Sequence, residues 1–194
     1  MSSELGEIES KVRVCIQCDL HKGRKNAVPG EGSVDARVMF VGEGPGASED
    51  ETGRPFVGAA GRLLTQLLNS IGLDRSSVFI TNIVKCRPPG NRPPRKGEVE
   101  ACAQLYLQPQ LRIINPEIPA PLGGPAIRTL MGEAYSVTNV HGKVFRRAER
   151  YFLPLYHPAA ALYDDRLRET LFTDIKALRL LLDGGIVEVA PIQE

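Results

Sequence analysis

The feature that most constrains the fold is an alternation of short apolar runs with amphipathic segments. The run ARVMFVG at 36–42 has the length and composition of a buried strand, and SVFITNIV at 77–84 predicts a second one. Between them, 59–73 carries leucines at helical spacing. A third strand is expected where Pro119 and Pro121 stand, although a central strand needs N–H donors there. This order predicts an α/β fold, a three-layer α/β/α sandwich with a central, mostly parallel sheet of about four strands.

The second half of the chain continues the same pattern. A helix is expected over about 98–114, a hairpin or strand pair over 144–158, and a last amphipathic helix over 165–185. The tail from 186 is expected to fray. Residues 1–194 therefore suit one domain, with no apolar run near the roughly 18 residues that span a bilayer. The charged N-terminus lacks the apolar core of a secretory signal, which predicts a cytoplasmic protein.

Four cysteines, Cys15, Cys18, Cys86 and Cys102, form a C-x2-C pair followed by two widely spaced residues. Disulfides are unusual in a reducing compartment, outside thermophiles. Structural zinc sites usually combine two short pairs, and the second pair here is stretched over fifteen intervening residues. Four thiolates with loose spacing suit an iron–sulfur cluster equally well. Spacing alone leaves the cluster, zinc, and disulfides or unpaired thiols as open alternatives.

The third and fourth cysteines bracket a basic, proline-rich loop. The stretch KCRPPGNRPPRK, residues 85–96, contains Lys85, Arg87, Arg92, Arg95 and Lys96 and no acidic residue. The simplest interpretation is a solvated surface loop. Dense positive charge on a chain stiffened by proline also attracts a phosphate backbone.

Polar residues follow the predicted strands and converge on one sheet edge, because ligands in such sheets bind beyond the carboxyl ends of the strands. The loop GEGPG at 42–46 lacks the lysine of a nucleotide-binding loop and carries acids, so a close backbone approach to an uncharged ligand is expected. Phe56 is either a core anchor or a stacking surface. Asn82 either caps a strand or reads a planar amide. His157 is either structural or functional.

Taken together, three motifs and the four cysteines resemble a known family. VGEGPGASEDETGRPFVG at 41–58, TNIVKCRPP at 81–89 and HPAA at 157–160 are similar to the family-4 uracil-DNA glycosylases, over about residues 15–182. The resemblance implies one structural 4Fe-4S cluster bound by Cys15, Cys18, Cys86 and Cys102. It implies hydrolysis of the N-glycosidic bond of uracil in single- or double-stranded DNA, by a monomer associated with the nucleoid.

The resemblance also implies a role for each residue of the predicted pocket. Phe56 stacks on the flipped uracil, Asn82 pairs with N3–H and O4, and the backbone near Gly44 and the ring of His157 approach O2. A lock by neighbouring hydrogen bonds is expected to fix the Asn82 amide against cytosine. The residues that would orient water are Glu43, which we favour, and Glu49. The DNA contacts implied are Arg87, Arg92, Arg95 and a wedge, Leu162.

Three rival interpretations remain. The first is a non-catalytic iron–sulfur DNA-binding protein of the same fold, for which Pro119 and Pro121 are the only hint. The second is a zinc-stabilised enzyme that acts on a small ligand. The third is a relative that traps DNA covalently through a histidine such as His141, although the chain has no insertion long enough for the loop this requires.

Overall fold

The computed structural model describes residues 3–192, which contain a four-stranded sheet and a three-stranded one. The larger sheet has the strand order β1-β3-β2-β4, in which β2 pairs in parallel with both neighbours and β1 is an antiparallel edge. Its strands are β1 (Glu31–Gly32), β2 (Val38–Gly42), β3 (Phe79–Asn82) and β4 (Ile118–Pro121). The predicted mostly parallel sheet of about four strands is confirmed.

Helices cover both faces of this sheet. They are α1 (Ser3–Val14), α2 (Ala47–Thr52), α3 (Ala59–Ser70), α4 (Lys96–Cys102), α5 (Gln108–Ile114), α6 (Gly124–Met131), α7 (Val137–Val140), α8 (Asp165–Asp174) and α9 (Lys176–Leu182). Successive side chains of β2 point to opposite faces. Val38 and Phe40 pack in a core with α3, α8 and α9, whereas Met39 and Val41 pack in a second core with α1 and the 103–114 segment. The three-layer prediction is therefore confirmed.

The prolines of β4 do not weaken the strand. The nitrogens of Leu153 and Leu155 donate to the carbonyls of Pro119 and Pro121, at 3.2 and 3.0 Å. The N–H and C=O groups of one strand residue point to the same side, so the missing proline donors also face the 153–155 segment. The pairing of β4 with β2 keeps its donors, and the prolines give no sign of a degraded scaffold.

The second sheet forms from the expected hairpin and from the chain's tail. Its strands are β5 (Val144–Arg147), β6 (Arg150–Phe152) and β7 (Val189–Pro191), in the order β6-β5-β7. The prediction that the tail from 186 frays was wrong for residues 189–192, because β7 pairs in parallel with β5 and Ile192 is buried in a third apolar cluster. Residues 193 and 194 lie outside the described part of the chain. No helix in the described part of the chain is long and apolar enough to span a membrane.

The carboxyl ends of the strands meet at one edge of the larger sheet. β2 ends at Gly42, β3 ends at Asn82, and the 153–155 segment beside β4 leads directly to His157. Gly123 follows β4 with a φ of +86°, and a methyl group added to it would lie 3.0 Å from Cβ of His157. This close approach brings the histidine against the sheet edge, beside the other two strand ends.

Candidate active site

A cavity of about 340 Å³ opens at this sheet edge. It brings together six residues that the sequence suggested for one pocket, from four separate segments of the chain. These residues are Glu43, Gly44, Glu49, Phe56, Asn82 and His157. The rest of the lining comes from the glycine-rich loop, the start of α3, the 88–94 loop and Ala159.

Asn82 presents an unpaired amide to this cavity. Its side chain is 2% exposed, and its Oδ1 is the one buried side-chain nitrogen or oxygen within residues 3–192 that has no hydrogen-bond partner. The expected lock of neighbouring hydrogen bonds is therefore not observed in that range. A buried carbonyl oxygen without a donor is costly, which makes Oδ1 a candidate acceptor for a ligand that enters the cavity.

Phe56 is held in place through its backbone rather than its ring. Its φ is +51°, and its carbonyl accepts a hydrogen bond of 3.0 Å from Arg75. A methyl group on Gly61 would lie 1.8 Å from that carbonyl oxygen, so only glycine lets α3 approach so closely. The ring lies 5.5 Å from that of His157, tilted by 32°. The two rings form one wall of the cavity.

Gly42 sets the spacing of the pocket. A methyl group added there would lie 2.4 Å from Oδ1 of Asn82 and 2.6 Å from Cζ of Phe56. We expect Gly42→Ala to displace both groups and to lower kcat/KM at this site about a hundredfold or more, because misplacing reacting groups by about 1 Å costs that much. Steady-state kinetics beside circular dichroism checks this. Gly6→Ala, at a site with no atom within 4 Å of the added methyl group, is the matched control; equal activities would contradict the expectation.

His157 lines the cavity as a neutral imidazole. Its Nδ1 accepts a hydrogen bond of 3.1 Å from the backbone nitrogen of Ala159, which places the proton on Nε2. Burial lowers the pKa of the imidazole to about 4, against a smaller opposing effect from Glu49. The ring can therefore donate a hydrogen bond near neutral pH without carrying a charge.

Glu43 and Glu49, the two acids of the cavity lining, have different surroundings. Glu49 binds the loop itself: Oε1 accepts from the nitrogens of Val57 and Gly58, at 2.8 and 2.9 Å, and Oε2 accepts from that of Gly46 at 3.1 Å. The carboxylate of Glu43 has no hydrogen-bond partner among the described residues. Burial raises the pKa of Glu43, which Arg128 partly opposes. Glu43 is thus the acid that is free to bind water.

The basic loop is more ordered than its sequence suggests. Arg92 forms a bidentate ion pair with the buried Glu98, at 2.7 and 2.9 Å, and Glu98 also accepts from the backbone nitrogen of Arg95 at 2.7 Å. The guanidinium of Arg92 is therefore already engaged in an ion pair within the protein. The side chain of Arg95 is exposed, without a hydrogen bond or ion pair in residues 3–192. Arg87 is half-buried, and its Nε donates to Asn91.

Lys85 does not belong to the basic surface, as its place in the sequence had suggested. It is 1% exposed and lies in the core between the cavity and the cysteines. The short helix that follows His157 also differs in detail from expectation. Leu162 is half-buried against the core, whereas the adjacent Tyr163 is 95% exposed.

The four cysteines surround a second, smaller cavity. Cys15, Cys18, Cys86 and Cys102 all line it, and none forms a disulfide. Burial raises the pKa of Cys102 to about 11, so a bound metal would be needed to keep this thiol ionised. No group of three or more Cys, His, Asp or Glu side chains between residues 3 and 192 is arranged to hold a metal ion. Four thiols around one cavity are nevertheless a donor set suited to a metal centre.

Comparison with known proteins identifies the family. Residues 29–178 match the model of the uracil DNA glycosylase superfamily. The type-4 uracil-DNA glycosylase of Sulfurisphaera tokodaii is 50% identical over 186 residues, covering 91% of this chain and 84% of the relative. Those of Pyrobaculum aerophilum and Archaeoglobus fulgidus are 47% and 45% identical, covering 94% and 90% of this chain and 95% and 91% of the relatives. This chain belongs to the type-4 uracil-DNA glycosylases.

Membership of the type-4 uracil-DNA glycosylases confirms the family resemblance read from the three motifs. The structure adds residues that the motifs did not reveal. Arg75 anchors Phe56, Glu98 organises the basic loop, and Lys85 is buried. None of the three left a recognisable signal, since Arg95 is not one of the N-cap residues that make a glutamate three positions later a capping pattern.

Proposed function

We propose that this protein excises uracil from DNA by hydrolysing its N-glycosidic bond, leaving an abasic site. The observation that carries the proposal is the unpaired amide of Asn82, which faces a cavity walled by Phe56 and His157. A planar base with an N–H beside a carbonyl supplies the donor that Oδ1 lacks and an acceptor for Nδ2. Uracil has this edge at N3–H and O4.

Recognition begins with the flipping of the uridine out of the stack, which costs a few kcal/mol. Phe56 then stacks on the base and Asn82 pairs with its N3–H and O4. The backbone near Gly44 approaches O2, because a methyl group there would lie 2.8 Å from Val84 and only glycine keeps the loop close.

Bond cleavage leaves negative charge on the departing uracil and positive charge on the sugar. The Nε2–H of His157 donates to O2 as that charge grows, and a neutral donor does so without losing its proton. Glu43 orients the attacking water, because its carboxylate is free of protein partners. Glu49 contributes mainly by holding the loop, since its oxygens already accept backbone hydrogen bonds.

The four cysteines hold one 4Fe-4S cluster with a structural role, tying the N-terminal segment to both ends of the basic loop. Purified protein should then be brown and absorb at about 400 nm, whereas a zinc protein is colourless. The protein is proposed to act as a monomer. Action on DNA would place the enzyme in the cytoplasm, at the nucleoid.

The exposed Arg95 is proposed to contact a DNA phosphate, and so is the half-buried Arg87. We expect Arg95→Ala to reduce the slope of log K against log salt by about 1, with uniform weakening across sequences. Arg92→Ala should instead lower thermal stability, because it leaves the carboxylate of Glu98 buried and without its ion pair. Fluorescence-anisotropy titrations on one oligonucleotide at several salt concentrations measure the slope. An unchanged slope for Arg95→Ala would remove this contact from the account.

Leu162 is proposed to fill the space that the flipped base leaves. We expect Leu162→Ala to slow excision from duplex about tenfold and to leave single-stranded substrate nearly unaffected, because only the duplex must be unstacked. Single-turnover rates on matched single-stranded and duplex substrates test this. Tyr163→Ala is the comparison variant, and a larger duplex-specific loss there would assign the wedge to the exposed tyrosine instead.

The reaction itself is tested by incubating the protein with single-stranded oligonucleotides that contain either one uracil or one thymine, followed by alkali. Strand breaks with uracil alone are expected. A non-catalytic DNA-binding protein of the same fold would bind both oligonucleotides and break neither, which would overturn the proposed function.

A further inference from the structure

The buried Lys85 lies between the two sites and belongs to neither mechanism so far. Its ammonium donates three hydrogen bonds, to Thr81 Oγ1 at 2.6 Å, to the backbone carbonyl of Asn82 at 2.8 Å and to Gln110 Oε1 at 2.7 Å. All three acceptors are uncharged. No carboxylate in the described part of the chain forms an ion pair with this lysine. A buried charge without an opposite charge is strongly destabilising.

The cysteine cavity borders the same lysine. The backbone nitrogen of Lys85 donates to Sγ of Cys102 at 3.3 Å, and Lys85 itself lines the cavity between the four thiols. A second cation, Arg24, lies on the same cavity and donates to Sγ of Cys86 at 3.1 Å. The guanidinium of Arg24 and the backbone of Lys85 thus border a centre that becomes negative once its four thiols are ionised.

The other end of the same lysine reaches the base pocket. Its ammonium binds the carbonyl of Asn82, the last residue of β3, whose side chain faces the cavity. Arg24 has no such connection, since its hydrogen bonds go to Cys86 and to the carbonyl of Arg13. Lys85 therefore contacts Cys102 through its backbone nitrogen and the carbonyl of Asn82 through its ammonium.

We propose that Lys85 is a positioning residue that couples the iron–sulfur centre to the uracil pocket. This inference rests on the proposed function and on the cluster bound by the four cysteines. With the centre loaded, its negative charge offsets the buried ammonium, which holds the end of β3 and the Asn82 amide in place. Without it, the ammonium is uncompensated, and the strand end loosens. Because the coupling between two binding sites is reciprocal, uracil bound in the pocket should in turn stabilise the iron–sulfur centre.

The test measures the loss of the cluster from the holoprotein in excess chelator, followed by the absorbance at about 400 nm. For each variant, the loss is compared with and without a saturating concentration of free uracil. In the unaltered protein, uracil should slow the loss about fivefold or more, within the usual range of allosteric coupling. Lys85→Met, of similar length without charge, should lose the cluster faster, and uracil should no longer slow the loss. If Lys85 were merely structural, its replacement would raise the rate of cluster loss and leave the uracil effect unchanged.

Two further variants keep the test decisive. Arg24→Gln, the matched control, should speed cluster loss but retain the uracil effect, because Arg24 does not contact Asn82. If Lys85→Met does not fold, Gln110→Glu gives the ammonium its own carboxylate and should reduce the uracil effect. An equal uracil effect in all variants, none in the unaltered protein, or a colourless unaltered protein would each overturn the inference. Failure of the proposed function looks different, because the unaltered protein would then leave uracil-containing DNA intact.

Discussion

Replacing Asn82 with alanine should lower kcat/KM on uracil-containing DNA about a thousandfold or more. The variant loses both the acceptor for N3–H and the donor to O4, and removing one such group from a desolvated site already costs about a hundredfold to a thousandfold. Single-turnover rates on single-stranded substrate measure the effect. Asn69→Ala, on the exposed face of α3, is the control and should retain full activity. A loss below about tenfold for Asn82→Ala would mean that another group reads the base.

Asn82→Asp separates recognition from packing at the same position. A carboxylate keeps the shape of the amide but can accept from the N4 amino group of cytosine, so we expect some release of cytosine from single-stranded oligonucleotides. Uracil excision should fall in the same variant. Absence of cytosine release above background would count against the role of Asn82.

Replacing His157 with alanine should lower kcat by about a hundredfold to a thousandfold, because the variant loses the donor that meets the charge developing on the departing base. His157→Gln, which keeps an N–H group, should recover part of that loss. His141→Ala is the control, since this histidine binds Asp174 and does not line the cavity. A complete loss in His141→Ala, with trapped DNA in the unaltered protein, would instead favour the covalent rival.

The protonation of His157 also predicts how the stability of the protein depends on pH. Its pKa is about 4 in the folded protein and about 6.5 in an unfolded chain. Between these two values the unfolded chain therefore binds more protons than the folded protein. The stability that the neutral ring contributes is complete above about pH 6.5 and is lost as the pH falls through about 4. Thermal unfolding of the unaltered protein and His157→Ala should converge in acid. The rate should be independent of this group between pH 6 and 8.

The sequence predicted the sheet, its layers and the meeting of the loop, Asn82 and His157, because strand order alone determines which carboxyl ends share an edge. It could not predict that β4 tolerates Pro119 and Pro121, since that depends on which side of the strand the missing donors face. The pairing of β7 was also missed. A three-residue strand has too little periodicity to be recognised before its partner is known.

The charges of the basic loop show a second limit of sequence analysis. Lys85, Arg92 and Arg95 look equivalent as cations in a polar stretch. In the folded chain the first is buried, the second is paired with Glu98, and only the third is exposed without a partner. These differences arise from contacts with residues outside the loop's own pattern, such as Gln110. Charge composition therefore predicts a phosphate-binding surface but not the side chains that form it.

The most direct test of the central claim is a crystal structure of the protein with free uracil. We expect the base in the cavity at the sheet edge, with its ring against Phe56, its N3–H and O4 on the Asn82 amide and its O2 toward Nε2 of His157. Uracil bound elsewhere, or an empty cavity at a saturating concentration, would contradict the account.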